Sequence, residues 1–516
     1  MMTPQLPDWQ DFTLTGELGQ RLQRAVARML ELQPRLYTET RIVADYGYGE
    51  IAANWLETMA LLCRHTGGQY AAPLRAVAEE LLTHQQPYGG FCAGVEDPSS
   101  KIGYWVGDQR ALGGLLAAWR VLGEGQFLEA AGRVAGYLMR HWPEDFRALA
   151  ANSWGELKYR VEPYFYSTSN VVDLYAATGT ADYLDFARRI CLAAPRLHAG
   201  AELEHADGRM VNLLGLLRLY GVTGDKALLD AVLHDQRIIA TQFIWPSGGS
   251  PEMLPDNRRD EACQTANWAR LNLALWDLTG ESGYVALAER TWQNHLYFSQ
   301  HPSGGFCWGR TLRRGGAIGQ RMTDTGEPFE MWYCCSETAP RALLDLGRHA
   351  VTLRAGQPAI ALWAGGTYRL PGCRVEIARD LAPGEPLEAT CESEKPVALA
   401  MRLPARTEVE RLEVNGTATV ADARDGWLIL PPDRWTSVTL AVRCLEGRET
   451  HVYARVVTPG GDANNPDAQW DPGAPVNYVG ARTARFHGPW MLKADEDEDE
   501  IFEPNRRYFR GGRGQP

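Results

Sequence analysis

Leu213-Leu214-Gly215-Leu216-Leu217-Arg218-Leu219-Tyr220, followed closely by Thr223-Gly224-Asp225, decides the fold class. Its apolar side chains cover more than one face of a helix, which requires packing on both sides. Gly224 then supplies the left-handed position that ends a helix, and Asp225 is suited to cap the next one. The pattern recurs: an apolar helical stretch closes on an aromatic or Cys, with a Gly four residues on. The other copies are Leu61-Leu62-Cys63 to Thr66-Gly67, Ala118-Trp119 to Gly123, Leu174-Tyr175 to Thr178-Gly179 and Leu275-Trp276 to Thr279-Gly280. Successive glycines are 56, 56, 45 and 56 positions apart, as in a helix hairpin used repeatedly as a unit. A sixth unit around Arg341-Ala342-Leu343-Leu344-Asp345-Leu346-Gly347 would close the series. An (α/α)6 barrel, or toroid, is therefore expected over residues 1–349.

After about residue 350 the periodicity changes to alternation. Ala398-Leu399-Ala400-Met401-Arg402-Leu403-Pro404, Val409 to Gly416, Trp427-Leu428-Ile429-Leu430 and Val438-Thr439-Leu440-Ala441-Val442 read as strands, with Asn415-Gly416 as a hairpin turn. A β-sandwich over 350–445 is expected, giving an α + β multidomain chain. Its composition leaves open whether it supports the barrel or a homodimer contact. Residues 446–516 are richer in Pro and Gly and are expected to complete the sandwich or wrap the barrel. They end in a solvated acidic tail that includes the run Asp495 to Glu500.

A chain of 516 residues with 45% hydrophobic and 22% charged residues is long enough for more than one core. The formal charge of -12 argues against a nucleic-acid partner, whose phosphates need a basic face. The start, Met1-Met2-Thr3-Pro4-Gln5-Leu6-Pro7-Asp8, lacks a basic region followed by an apolar run, and nowhere do 18 apolar residues run together. A cytoplasmic protein without a membrane partner is expected. Ten scattered cysteines suit reduced thiols better than a secreted disulfide framework.

Chemistry is expected on the long connections between hairpins. Tyr88-Gly89-Gly90-Phe91-Cys92, Trp245 to Ser250 and Ser303-Gly304-Gly305-Phe306-Cys307-Trp308-Gly309 are rich in Gly and aromatics. Aromatic faces such as that of Trp308 suit sugar rings. Two further stretches stand out: Trp332-Tyr333-Cys334-Cys335-Ser336-Glu337 and Asp260-Glu261-Ala262-Cys263-Gln264. Together they offer three thiols and a carboxylate, a ligand set that suits one tetrahedral zinc. Buried cysteines that fill a core, or a strained vicinal disulfide, are the plainer alternatives.

In order and in motif the chain resembles glycoside hydrolase family 127, the β-L-arabinofuranosidase group. The resemblance covers about residues 100 to 445. It rests on Tyr104-Trp105-Val106-Gly107-Asp108-Gln109-Arg110, His205-Ala206-Asp207-Gly208-Arg209, the Gly248-Gly249 loop with Glu252, Glu261-x-Cys263, and Cys334-Cys335 with Arg341. The sandwich segment Arg402-Leu403-Pro404 to Gly426-Trp427 is similar too. The resemblance implies an (α/α)6 barrel with a β-sandwich and a zinc held by Glu261, Cys263, Cys334 and Cys335. It also implies Cys334 as nucleophile and Glu252 as acid/base, with Glu327, Glu330 and Glu337 as competitors for that last role.

That assignment is chemically coherent. A free thiol is mostly protonated at neutral pH, whereas a metal-bound one is deprotonated, so Cys334 could attack an anomeric carbon while a carboxylic acid protonates the departing oxygen. His205 matches the family's histidine, while Gln109-Arg110 stands where a His-Lys pair is usual and Tyr166 where a second His is expected. These positions, with Trp308, are the expected substrate contacts. The expected activity is a retaining exo-glycosidase releasing L-arabinofuranose, or another pentose, deoxy or acidic sugar, from an oligosaccharide or glycoconjugate. The alternatives are a zinc-independent (α/α)-barrel sugar epimerase or unsaturated-uronide hydrolase, and a non-catalytic sugar-binding protein with structural zinc.

Overall fold

A computed structural model describes residues 4–92, 102–142, 166–193, 204–254, 260–307, 330–456 and 476–493. Helices dominate up to His349: α1 (Glu17–Leu32), α2 (Thr40–Tyr46), α3 (Gly49–His65), α4 (Ala71–Thr83), α5 (Ile102–Leu122), α6 (Gly125–His141), α7 (Ser167–Thr178) and α8 (Ala181–Ile190). After them come α9 (Ala206–Thr223), α10 (Lys226–Gln242), α11 (Ala262–Thr279), α12 (Ser282–Arg290) and α13 (Cys335–His349).

The repeated glycines make the turns of the helix pairs. Gly67, Gly123, Gly179, Gly224 and Gly280 all have φ between 66° and 72°, where a side chain would strain the backbone. Thr178, Thr223 and Thr279, each just before its glycine, donate their hydroxyls to the carbonyls of Leu174, Leu219 and Leu275. Asp225 caps α10, its Oδ1 accepting from the Ala227 N–H at 3.0 Å.

One helix of each pair is packed all round, and these helices follow one another in a closed circuit. α3 contacts α5, α5 contacts α7, α7 contacts α9, α9 contacts α11, α11 contacts α13, and α13 returns to α3. Their partners α4, α6, α8, α10 and α12 pack on the outside; α4, for example, buries only Leu74, Val77, Ala78 and Leu81. The sixth outer place is taken by α1, which packs on α13.

Strands dominate after His349. A seven-stranded sheet and a five-stranded sheet are built mainly from residues 351–444, and their buried side chains, Tyr368, Val375, Leu399, Met401, Leu430 and Leu440 among them, share one apolar cluster with the helices. The strand Phe12–Leu14 crosses over to pair with Gly366–Leu370. Asp380 then reaches back to the start of α1. Its Oδ2 accepts from the Leu18 N–H at 2.8 Å, supplying a cap that Gly16 cannot, and any side chain added at Gly16 would collide with that carboxylate. A buried pair, Arg402 with Glu289 of α12, forms a second tie.

The strands Glu446–Val456, Val476–His487 and Trp490–Lys493 form a separate three-stranded sheet. It lies against the helical part: Ala484, Phe486 and Met491 cluster with Trp245 and Phe298. Arg290 binds Glu449 through two contacts of 2.8 and 2.7 Å. No described helix is long and apolar enough to cross a membrane.

Candidate active site and metal centre

Four of the inner helices begin at a residue singled out from the sequence. Tyr166 is the N-cap of α7, His205 of α9, Glu261 of α11 and Cys334 of α13. Glu50 occupies the first turn of α3. Helix starts carry unpaired N–H groups and a positive partial charge, so this end of the circuit favours thiolates and carboxylates.

The sulfurs gather there. Cys334 and Cys335 Sγ are 3.8 Å apart, Cys335 and Cys263 Sγ are 3.8 Å apart, and Cys263 Sγ lies 3.4 Å from Glu261 Oε2. No disulfide links any cysteine. Tetrahedral thiolates around zinc, with zinc–sulfur bonds of about 2.3 Å, have sulfur–sulfur edges of about 3.8 Å. The donor set and its spacing therefore fit the metal. Cys263 and Cys335 are buried, whereas Cys334 is half-buried. Hydrogen bonding with Cys263 and then Cys335 lowers the Cys334 thiol to about 6, while burial pushes Cys263 and Cys335 up.

A second trio, His205, Glu252 and Glu261, also has its ligand atoms within 4.8 Å of one another. A two-residue ladder pairs His205 with Met253 and lays the histidine beside Glu252, whose carbonyl accepts from the Ala206 N–H. His205 Nε2 stands 3.1 Å from Glu261 Oε2. Gln264, one turn into α11, joins the group, its Nε2 donating to the Glu252 carbonyl at 2.9 Å and to Glu261 Oε2 at 3.1 Å.

Around the sulfurs the walls are polar and buried. Arg110 lies over the Tyr166 ring at 4.4 Å, and its Nε is 2.8 Å from Glu50 Oε2. Burial opposes the Arg110 charge, but Glu50, Tyr166, Asp207 and Cys334 more than offset it and hold the guanidinium protonated. Burial likewise pushes the Tyr166 phenol well up. Gln109 is fully buried and donates to the Trp105 carbonyl one turn back in its own helix. Trp308 and Glu327 lie outside the described residues. Glu330 is engaged by Arg28 at 2.9 and 2.7 Å. Glu337 is 1% exposed, and burial followed by the charge of Cys334 pushes its carboxyl well above the usual range.

Gln264, Glu50 and Asp207 are site residues that sequence reasoning gave no role. Gln264 stands three residues after a helix-starting Glu, the spacing of a capping box, and that signal could have found it. Glu50 and Asp207 become visible only when the helices are brought together.

A family model described as Beta-L-arabinofuranosidase, GH127 catalytic domain, matches residues 23–348. No curated protein matches the chain by sequence. Among solved structures, a GH127 β-arabinofuranosidase is similar at TM-score 0.68 and 17% identity, over 95% of this chain and 85% of that one. A protein titled glycoside hydrolase is similar at TM-score 0.66 and 14% identity, over 95% and 83%. A GH127 β-L-arabinofuranosidase from Geobacillus stearothermophilus T6 is similar at TM-score 0.64 and 15% identity, over 93% and 86%.

Proposed function

The chain belongs to the GH127 β-L-arabinofuranosidase family and is a glycoside hydrolase, and from that premise we propose a retaining exo-glycosidase with Cys334 as its nucleophile. The substrate is a β-linked L-arabinofuranoside or a closely related sugar at the end of an oligosaccharide or glycoconjugate. The helical circuit is read as an (α/α)6 barrel over 1–349, the two large sheets as a β-sandwich over 350–445, and residues 446–516 as a segment wrapping the barrel. One observation carries the reading: three sulfurs at tetrahedral spacing beside the Glu261 carboxylate, with Cys334 the least buried of the three residues.

Glu261, Cys263, Cys334 and Cys335 would hold zinc. When bound, zinc would keep the Cys334 sulfur deprotonated at neutral pH. The Cys334 thiolate attacks the anomeric carbon as the bond to the leaving oxygen breaks, and Glu252 gives that oxygen its proton. A glycosyl thioether on Cys334 results. Water then attacks the same carbon from the vacated side, Glu252 takes the water's proton, and the carbon–sulfur bond breaks to restore the thiolate. Two inversions give net retention. Arg110, Tyr166, His205 and Trp308 are proposed to meet the sugar hydroxyls and ring, with the fully buried Gln109 behind them.

The test is hydrolysis of a panel led by β-L-arabinofuranosides, with the first-formed product anomer followed by NMR. Release of the β anomer, lost in Cys334→Ser, is expected. Release of the inverted anomer would rule out the cysteine mechanism.

A further inference from the structure

Three side chains behind the site form a chain that the mechanism does not use. Ser247 Oγ is 2.8 Å from His295 Nδ1, and His295 Nε2 is 2.7 Å from Asp260 Oδ2. The order matches a serine hydrolase triad, yet all three residues are 0% exposed, and Trp245 and Phe298 pack edge-on against the imidazole at 5.3 and 5.4 Å. No substrate reaches that serine, so a nucleophilic role is excluded.

What the three residues join is more informative. Ser247 opens the Gly248-Gly249 loop that leads to Glu252, and Asp260 is the residue before Glu261. Pro251 and Asp260 also pair as an isolated bridge, and the Ser250 N–H donates to Thr265 Oγ1 of α11 at 3.2 Å. The imidazole comes from Thr291–Leu296, a π-helical turn following α12. Such turns re-aim side chains at a cost in helix geometry and are concentrated at functional sites. The loop is shaped to receive it: a Cβ on Gly249 would collide with the His295 ring, and Gly248, at φ 83°, would meet the Thr291 backbone. Thr291 Oγ1 also donates to the Gly248 carbonyl at 3.0 Å. From the same turn Asn294 holds the last sheet, accepting from the Met491 N–H at 2.8 Å and donating to the Pro489 carbonyl at 3.1 Å.

We infer that His295 is a positioning residue: it clamps the loop carrying Glu252, through Ser247, to the helix start carrying Glu261, through Asp260, and so sets the acid/base against the sulfur centre. The inference rests on the roles proposed for Glu252 and Glu261. With Nε2–H donating to the Asp260 carboxylate, Nδ1 is left to accept the Ser247 hydroxyl, so one ring fixes both segments at once. Ser299, whose Oγ lies 3.2 Å from Asp260 Oδ2, shares that oxygen with the imidazole.

The experiment compares the full-length wild type, Ser247→Ala and His295→Gln in two measurements. Hydrogen exchange, which needs neither substrate nor metal, decides on the clamp itself. His295→Gln is expected to speed exchange by about tenfold or more within 247–252 and 260–264 while the strands of 366–444 stay unchanged. Unchanged exchange in the two segments, or a rise throughout the chain, overturns the clamp even if the glycosidase reading fails. Hydrolysis then decides on positioning. A 4-nitrophenyl glycoside has a leaving group that needs little protonation, whereas a disaccharide depends on Glu252. In kcat/KM, which reports only the steps up to loss of the leaving group, Ser247→Ala is expected to lose roughly tenfold on the disaccharide and less than about twofold on the aryl glycoside. Equal losses on both substrates, or no loss on the disaccharide where Glu252→Gln does lose, overturn the positioning role.

Discussion

The imidazole of His205 and the carboxylate of Glu261 meet at 3.1 Å, Nε2 to Oε2, both being N-caps of neighbouring inner helices and both buried. A carboxylate ligand held by a second side chain keeps its orientation and its affinity for a metal. His205→Ala is expected to weaken zinc binding by about 10–100-fold with the fold retained. Competition against a chromophoric chelator, alongside circular dichroism, checks it. Unaltered zinc affinity would mean that His205 faces only the sugar.

Cys263 and Cys334 should separate metal holding from turnover. Elemental analysis of protein purified under reducing conditions without added metal is expected to give about one zinc per wild-type chain and far less for Cys263→Ala. Cys334→Ser is expected to keep the fold and a ligand set of three, while kcat falls by more than about a thousandfold. Ordinary turnover by the serine variant would remove Cys334 as nucleophile.

Asp108 should make the fold lose stability as pH rises from about 4 to about 7. Its Oδ1 accepts from the Phe91 N–H at 2.7 Å, yet burial raises its carboxyl to about 7. The unfolded chain releases that proton near pH 4, the native state only near 7, so the native state binds the extra proton between those values. Stability from this group is complete below about pH 4 and is lost as pH rises to about 7. Asp108→Asn, neutral throughout, is expected to raise the urea midpoint relative to wild type at pH 8, by up to a few kcal/mol in stability, and to change it little at pH 4. A variant gaining equally at both pH values would show that the carboxylate charge is not the cause.

The buried pair of Glu289 and Arg402 predicts a stability loss with a particular rescue. Both side chains are under a twentieth exposed and join α12 to the strand Val397–Arg402. Glu289→Ala leaves the guanidinium uncompensated and is expected to cost about 3–5 kcal/mol. Glu289→Ala combined with Arg402→Met is expected to recover much of that loss in a denaturant titration. A double variant no more stable than the single one would assign the loss to packing.

Local physics accounts for how much was legible in the sequence. Each of the five helix-ending glycines carries its signal within four residues, so the hairpins could be read directly. Asn415-Gly416 has φ of 51° and 75° and turns Val414 onto Thr417, as that dipeptide demands. Glu261-x-Cys263 and Cys334-Cys335 were legible because the residue types are rare, and the fold brings Cys263 and Cys335 to 3.8 Å across 72 positions. Glu50, Asp207 and His295 were not legible. Each is an ordinary polar residue whose partner is set by which helices become neighbours, and in His295 by a π-helical turn that leaves no pattern in the sequence. The tie from Asp380 to Leu18 was invisible for the same reason, and Gly16 gives no hint of a cap supplied from the other end of the chain.

That last tie bears on biosynthesis. The cap of α1 comes from a residue 362 positions later, and the outer place beside α13 is filled by α1 itself. At about 5–20 residues per second, roughly 20–70 s pass between the appearance of Leu18 at the ribosome and that of Asp380. Until α13 emerges late in that interval, the buried face of α1, which includes Leu18, Leu22 and Val26, lacks the helix on which α1 packs, so the nascent chain carries an adhesive strip through most of its synthesis.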